Sequence, residues 1–295
     1  MYTREVEIVR FLKEESGYLS GQAISRALGI SRTAVWKQIG KLREAGYSIE
    51  ARPRKGYRLT GPPPFNGIEV ASSLETEFIG KGGNLLFFPM LDSTNSKAME
   101  LARAGAPEGT AIIADSQRAG KGRLGRRWES PPGLNLYTSI ILRPKILPQD
   151  AQSLTLLSAV ATAEAVAAYS PVKPTVKWPN DILIESCKVA GILTEMNSEM
   201  DRVNFVVVGI GVNLNAAPSL RHGRMRIPAV SIKGMEKTGS DVPRARFTQT
   251  LYSAMEKWYK VYLTDGLSPV VSAWRGYFAS EGKPVRVSGP PNIEG

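Results

Sequence analysis

The strongest constraint on the fold is the run Gly61–Pro64, about a fifth of the way along the 295-residue chain. Its three consecutive prolines have a fixed φ and donate no backbone hydrogen bond, so they cannot lie inside a helix or a central strand. A proline run of this kind is a stiff linker. Since the length is enough for about two domains, we predict a small domain over 1–61, a linker over 62–66 and a larger domain over 67–280.

The segment before the prolines is basic and has a helical pattern. Residues 1–60 contain 12 Lys and Arg and 6 Glu, which gives +6 of the formal +11 of the whole chain. Such an excess favours a polyanionic partner, usually nucleic acid, although ordinary solubility charge is the alternative. A first helix is predicted over 4–14, a second between an N-cap at Ser20 and a stop at Gly29, and a third after Ser31. The core that these helices share is expected to contain Ala23, Ile24, Leu28, Ile30, Val35, Ile39 and Leu42.

This arrangement is a helix-turn-helix pattern, followed by weak alternation over 47–59 around a turn at Pro53–Gly56 that predicts a two-stranded wing. The third helix would enter the major groove, and the wing would contact phosphates. A small helical protein-interaction domain is the alternative. The candidate DNA-binding residues are Gly21, Gln22, Ser31, Arg32, Thr33, Trp36, Lys37, Lys41, Arg52, Arg54 and Lys55.

The larger domain contains a second distinctive segment, residues 118–127, with five cations, three glycines and no acid. Glycines let backbone N–H groups turn toward a ligand, and the cations supply compensating charge. The segment therefore suits a closely held carboxylate or phosphate, or else it is a solvated basic loop. It lacks the G-x-x-x-x-G-K-[ST] spacing of a Walker A loop.

The rest of the larger domain alternates between apolar strands and helices, which predicts an α+β domain with a mixed sheet. One cysteine and one histidine exclude an internal disulfide and, in practice, a His/Cys zinc site, and they fit a reducing cytosol. No apolar run approaches the ~20 residues of a membrane span, so we expect a cytoplasmic protein. The predicted strands cover 85–90, 110–116, 134–142, 176–184 with a proline interruption, 188–195 and 205–212, and the helices cover 149–169, 244–263 and 269–278.

Four motifs occur in a fixed order: Asp92–Asn95, the glycine-rich basic loop with Trp128, Lys177–Asp181 with Lys188 and Gly191, and Gly209–Asn213. Each is weak alone, but the ordered set is specific. The chain resembles the biotin protein ligases, and with its winged helix it resembles the bifunctional form that also represses the biotin operon. The resemblance implies a winged helix-turn-helix, a central mixed-sheet domain of the biotin/lipoate ligase type and a C-terminal SH3-like barrel.

The sequence departs from the family in two places. The family loop usually begins Gly-Arg-Gly-Arg, whereas Lys121 stands at the first arginine, which keeps the charge and loses the bidentate fork. The segment 281–295 reads as the start of the barrel only, with a first strand over 282–289. Because one strand cannot close a barrel, a truncated and poorly anchored C-terminus is expected.

The resemblance implies a two-step reaction. Biotin and ATP form biotinyl-5′-AMP and pyrophosphate, with Mg²⁺ held largely by the ATP phosphates, and the biotinyl group then passes to a lysine of a carboxylase carrier domain. It also implies a homodimer, promoted by biotinyl-5′-AMP, that binds operator DNA. The alternatives are a biotin-sensing repressor without ligase activity and a lipoate-type ligase.

The resemblance also assigns roles to residues. Arg123, Lys188 and Asp181 are the catalytic candidates, with Asp181 orienting or deprotonating the acceptor lysine. The alternatives to these functional roles are structural: an N-cap role for Ser93 or Thr94, core packing for Trp128, a surface position for Lys188 and a turn position for Asp181. The biotin-binding candidates are Ser93, Thr94, Asn95, Gln117, Lys121, Gly122, Arg123, Lys188 and Gly191, and the ATP- or adenylate-binding candidates are Lys121, Arg123, Arg126, Trp128, Asn180, Lys188 and Asn213.

Overall fold

The computed structural model describes residues 3–218, 228–235, 239–278 and 282. The first part is a winged helix-turn-helix. The Ser20 and Ser31 hydroxyls cap the second and third helices by accepting from the backbone N–H groups of Ala23 and Ala34, and Gly29 ends the second helix in the left-handed conformation. The elements are α1 (Thr3–Glu14), α2 (Gly21–Leu28), α3 (Arg32–Glu44), β1 (Ile49–Arg52) and β2 (Gly56–Leu59), and β1 and β2 form the predicted antiparallel wing.

The core of this domain matches the predicted set with one exception. Ala23 is exposed, so its assignment to the core was wrong. Ile24 and Leu28, four residues apart, define the inward stripe of α2, and Ala23 lies one residue off that stripe. The buried residues are Ile8, Val9, Leu12, Ile24, Val35, Ile39, Leu42, Tyr47, Ile49 and Ile68, with Leu28 and Ile30 partly buried against them.

A short helix, α4 (Gly67–Ser72), joins the two domains. Ile68 belongs to the core of the winged helix, whereas Val70 belongs to the core of the larger domain. Between them the buried Glu69 carboxylate lies 2.6 Å from the Lys13 ammonium and accepts a hydrogen bond of 3.1 Å from the Tyr47 hydroxyl. The two domains are therefore connected by packed contacts as well as by the proline run.

The larger domain is built on one seven-stranded mixed sheet, as predicted. β3 and β4 are parallel, and all the other neighbouring strands are antiparallel. The predicted strand over 176–184 is two strands, with Pro179 in the turn between them and the first at the edge of the sheet. In the spatial order β3-β4-β5-β9-β8-β7-β6, the strands are β3 (Leu85–Leu91), β4 (Ala111–Gln117), β5 (Leu136–Leu142), β6 (Thr175–Lys177), β7 (Asp181–Ile184), β8 (Cys187–Ser198) and β9 (Val203–Val212).

Helices cover both faces of the sheet. α6, α8 and α9 pack together on one face and form the main core with it, while α5 packs on the other face against Ile112, Ile141 and Val207. The α5 face also contains the clefts described below. The helices are α5 (Thr94–Arg103), α6 (Gln152–Ala167), α7 (Ile232–Met235), α8 (Arg244–Asp265) and α9 (Leu267–Arg275).

Two further expectations concern a C-terminal barrel and membrane-spanning helices. The predicted first strand of a C-terminal barrel, over 282–289, lies outside the described residues except for Gly282. Across the described parts of the chain, none of the helices has both the length and the apolar character needed to cross a bilayer.

Candidate functional site

A cavity lies at the N-terminus of α5, beside the end of β4. Ser93 is the N-cap of α5 and accepts from the backbone N–H of Ser96 at 3.4 Å, so the capping role expected on general grounds is present. Ser93, Thr94 and Asn95 are all buried and all line the cavity. The positive end of the helix dipole therefore faces a space lined by hydroxyl and amide groups, which suits the polar atoms of a small ligand.

Gln117, at the end of β4, is tied to this helix start. Its Oε1 accepts from the backbone N–H of Thr94 at 2.8 Å and from the Thr94 hydroxyl at 3.2 Å, and its Nε2 donates to Ser130 at 2.8 Å. The Ser139 hydroxyl bonds both Thr94 Oγ1 (2.8 Å) and Asn95 Oδ1 (2.6 Å) from β5. Because each amide and hydroxyl has a fixed partner, the polar lining is held in one orientation.

Three glycines on β8 and β9 form the floor of the site. A Cβ on Gly209 would lie 1.9 Å from Asn95 Oδ1, and one on Gly211 would lie 2.5 Å from the indole of Trp128. A Cβ on Gly191 would lie 2.9 Å from the same ring. Since contacts this short require the backbone or the ring to move, the glycines at these positions are what lets Asn95 and Trp128 lie against the sheet.

Trp128 stands between two cavities, the one described above and a larger, open cleft beside it. Its ring packs on the glycine floor and lies 5.4 Å from the Lys188 ammonium, in a cation–π arrangement. Its indole Nε1 is buried and has no hydrogen-bond partner among the described residues. A buried donor without a partner, placed between two cavities, is consistent with a hydrogen bond to a bound ligand.

Lys188 and Asp181 lie at the junction of the two cavities. Their charged groups are 2.5 Å apart and about a quarter exposed, so Lys188 is an ion-paired residue of the cleft and not a free surface lysine. Asp181 lines the larger cleft, and its partner lines both. The arrangement places one ammonium where two anionic reactants would meet.

The two asparagines predicted for the nucleotide side, Asn180 and Asn213, hydrogen-bond backbone groups around the larger cleft. Asn180 donates to the Ile192 carbonyl at 2.7 Å and accepts from Arg123 at 3.1 Å. Asn213 is buried, and its amide donates to the carbonyls of Lys188 (3.5 Å) and Val230 (3.2 Å). Both asparagines line the larger cleft, and each also hydrogen-bonds nearby backbone carbonyls.

The basic loop, residues 118–127, forms a small hairpin over the cavities, which we call the flap. Lys121 bridges Arg127 in an antiparallel pair, and Gly122 N–H donates to the Arg126 carbonyl at 2.7 Å. Leu124 is 87% exposed at the tip with φ +58°, a left-handed conformation that costs a leucine strain energy. Lys121 lies 3.6 Å from Glu195, and Arg126 lines the larger cleft. Lys121, Arg123 and Arg126 of the flap therefore line the cavities.

Some residues in or beside the site were missed from the sequence. Tyr137 and Ser139 lie on β5; Tyr137 lines the first cavity, and Ser139 bonds Thr94, which also lines it. Burial is the main cause that raises the pKa of the Tyr137 hydroxyl. Trp178 is 64% exposed at the rim of the larger cleft. Glu195 lies two residues beyond Leu193 on the same face of β8. The two-residue period of the strand, counted from Gly191, was the available signal for Glu195.

The second candidate interface is the outer face of α3 and the wing. Trp36 is 64% exposed on α3, and Arg52 pairs with Glu50 at 2.7 Å and lies over the Tyr18 ring. The Arg52 and Arg58 guanidiniums together hold that ring and carboxylate at the base of the wing. The predicted DNA-binding residues that are exposed are Gln22, Ser31, Arg32, Thr33, Trp36, Lys37, Lys41, Arg52, Arg54 and Lys55, while Gly21 is half-buried against Tyr57.

Comparisons with known proteins match both domains. The model of the biotin/lipoate A/B protein ligase family matches residues 87–213, and that of a helix-turn-helix domain matches residues 4–58. The chain is 42% identical over 277 residues to the bifunctional ligase/repressor BirA of Bacillus subtilis, covering 94% of this chain and 84% of that protein. The chain belongs to the biotin protein ligase family, in its bifunctional ligase/repressor form. It is also 31% identical over 270 residues to the BirA protein of Escherichia coli, covering 91% of this chain and 80% of that one.

Solved structures of this ligase family share the fold. The biotin protein ligase from Aquifex aeolicus in complex with biotin and ATP matches with a TM-score of 0.56 and 26% identity, over 67% of this chain and 79% of that one. The Leishmania major enzyme in complex with biotinyl-5-AMP matches with a TM-score of 0.55 at 24% identity, over 72% and 89%, which bears on the fold alone.

Proposed function

We propose that this protein is an ATP-dependent biotin protein ligase that also represses transcription. The observation that carries the ligase half is the pair of adjoining cavities: one lined by fixed hydroxyls and amides, the other open and bordered by cations, with Lys188 between them. One cavity suits the ring system of biotin and the other suits a nucleotide, so that the two anionic ends meet beside one ammonium.

In the first step, a carboxylate oxygen of biotin bonds to the α-phosphorus of ATP, and the bond from that phosphorus to pyrophosphate breaks. Lys188 and Arg123 would stabilise the charge that accumulates there. Gln117, Thr94 and Ser93 would bind the ureido ring, and Trp128 would separate the two halves of the product. Lys121, Gly122, Gly191 and Asn95 complete the biotin side, and Arg126, Asn180 and Asn213 the nucleotide side.

In the second step, the amine of a carrier lysine attacks the acyl carbon and AMP leaves. The amine must first lose a proton, and Asp181 is the nearest candidate to orient or accept it. Because this carboxylate is already paired with Lys188 at 2.5 Å, the two residues would act as a unit. The acceptor is a biotin carrier domain of a carboxylase.

Magnesium would accompany ATP. Within the described residues, no group of three or more His, Cys, Asp or Glu side chains is placed to hold a metal ion. The phosphates would therefore supply most of the ligands, which is the usual mode for Mg²⁺ with a nucleotide.

The repressor half rests on the winged helix, whose exposed cations on α3 and the wing suit a duplex. Biotinyl-5′-AMP would serve as corepressor by promoting a homodimer that binds a two-part operator. Since ATP and operator DNA are both cytoplasmic, we place both activities in the cytoplasm.

Biotin-dependent ATP–pyrophosphate exchange tests the ligase. Exchange that depends on biotin and not on lipoate is expected, whereas no exchange with bound biotin would identify a sensor, and exchange with lipoate a lipoate-type ligase. Binding of promoter DNA that strengthens when biotin and ATP are both added tests the repressor.

A further inference from the structure

Glu195 is the one acidic contact of Lys121 within the described residues, and it is not part of the biotin or nucleotide site proposed above. It lies on β8, on the face that carries Gly191 and Leu193, and its side chain is about one-third exposed. Oε1 is 3.6 Å from the Lys121 ammonium, and Oε2 accepts a hydrogen bond of 2.8 Å from Asn95 Nδ2. The carboxylate thus connects the flap to the N-terminus of α5.

Asn95 in turn connects Glu195 to the wall of the first cavity. Its Nδ2 also donates to the Leu193 carbonyl at 3.2 Å, and its Oδ1 accepts from Ser139 at 2.6 Å. The amide is therefore held at both ends and cannot turn without breaking three hydrogen bonds. The continuous path of contacts runs through Gln117, Thr94, Ser139, Asn95, Glu195 and Lys121.

We propose that Glu195 is a positioning residue that links occupancy of the biotin cavity to closure of the flap through Lys121. This inference rests on the proposed ligase function. The path already holds the Glu195 carboxylate in place for Lys121, which favours the closed flap. A ligand that engages Gln117 and Thr94 beneath the closed flap is then held more tightly, because Lys121 lines the same cavity. The same arrangement accounts for a lysine where the family usually has an arginine, because a compact ammonium needs only one fixed anion, whereas a guanidinium suits bidentate partners.

The Lys121–Glu195 pair is partly exposed, so its contribution to the free energy of flap closure is small and is screened by salt. Glu195 lies outside the region where the carboxylate and phosphate would meet. Its loss should therefore change how tightly biotin and the flap are held, and leave the rate of the chemical step unchanged.

The test uses the full chain with Glu195→Gln, which removes the charge while leaving an oxygen for Asn95. Glu199→Gln, at the tip of the same hairpin where Glu199 pairs with Arg202, is the matched control. The measurements are the Kd for biotin by calorimetry, KM for biotin and kcat in ATP–pyrophosphate exchange, and the rate at which trypsin cleaves the flap with and without biotin. Thermal unfolding identifies any variant that fails to fold.

For Glu195→Gln we expect Kd and KM for biotin to rise about threefold to fivefold, the range of a partly exposed ion pair, with kcat unchanged and with less protection of the flap by biotin. The effect should disappear in a Lys121→Met background and weaken at high salt. The proposal is overturned if Glu195→Gln matches Glu199→Gln in every measurement, if its effect is equally large without Lys121, or if kcat falls while KM does not. Calorimetry and proteolysis need no turnover, so absence of exchange in the wild type would count against the ligase assignment and leave this test intact.

Discussion

The ammonium of Lys188 and the carboxylate of Asp181 lie 2.5 Å apart across the β7–β8 hairpin, where Asp181 is opposite Gly191 and Lys188 is opposite Leu183. The register of this hairpin brings together two side chains that are seven residues apart in sequence. Three predictions concern this pair and the flap above it.

Lys188→Ala should lower the rate of adenylate formation by about 10²- to 10³-fold, because the developing charge loses a preorganised cation. Biotin-dependent ATP–pyrophosphate exchange measures this. Lys233→Ala, which removes a surface lysine paired with Asp241, is the control and should leave exchange unchanged. Exchange within a few-fold of the wild type in Lys188→Ala would contradict the assigned role.

Asp181→Asn should impair transfer to the carrier lysine more than adenylate formation. We expect a loss of about 10²-fold in transfer, the lower end for general acid–base catalysis. Single-turnover transfer from preformed biotinyl-5′-AMP to the carrier, compared with the exchange rate, separates the two steps. Equal losses in both would mean that Asp181 acts only by holding Lys188, and Asp241→Asn should affect neither step.

Arg123→Gly should release the adenylate before transfer, because the flap loses its hydrogen bond to Asn180 and one charge over the cleft. The freed mixed anhydride would then label exposed lysines on unrelated proteins. The measurement is biotin incorporated into a bystander protein lacking a carrier domain, with Arg202→Gly as the control. Unchanged retention of the intermediate would show that Arg123 does not close the site.

Gly211→Ala should weaken nucleotide and biotin binding together, because a Cβ 2.5 Å from the Trp128 indole forces the ring out of the wall between the cavities. Overpacking of this kind costs about 1–3 kcal/mol, which thermal unfolding should register. Gly40→Ala, in α3 with nothing within 4 Å of the added Cβ, should leave ligation unchanged and unfolding no easier. If calorimetry gave wild-type affinities for Gly211→Ala, Trp128 would not be part of the ligand wall.

Trp36→Ala combined with Lys37→Ala should remove DNA binding and leave exchange intact, since both side chains are exposed on α3. Deleting residues 1–60 should also leave ligation measurable, but with a lower unfolding temperature, because it exposes Ile68 and removes both partners of buried Glu69. Loss of ligation in the point variants would argue against separable modules. Electrophoretic mobility shifts and exchange assays measure the two activities.

The local signals in the sequence predicted most of the fold. The helices begin after Ser20 and Ser31 and the second ends at Gly29, as expected, and Pro179 interrupts a strand where expected. These signals are reliable because a cap or a proline acts on the backbone next to it. Ala23 was misassigned because an alanine at the margin of a helical stripe carries no signal for which side it faces. The contact of Ile68 with the winged-helix core was also missed, since it depends on how two domains meet.

In the candidate site, too, local motifs were predicted and contacts between distant segments were missed. The motif residues that line the cavities were predicted, although only the resemblance assigned them to ligands. The duties of Gly209 and Gly211 could not be predicted, because nothing in a strand sequence says which side chain will cross the sheet at that point. Glu195 was missed for a related reason, since its contact with Lys121 joins segments 74 residues apart.

The short helix α4 has a consequence for how such a chain would read DNA. Ile68 packs in one core and Val70 in the other, and Glu69 contacts Lys13 and Tyr47, so the orientation of α3 relative to the larger domain is fixed. In the proposed homodimer, if it forms through the larger domains, the distance between the two α3 helices would follow from the angle at this joint. The separation of the DNA half-sites that such a dimer could bind would then depend on how Ile68, Glu69 and Val70 pack between the two cores.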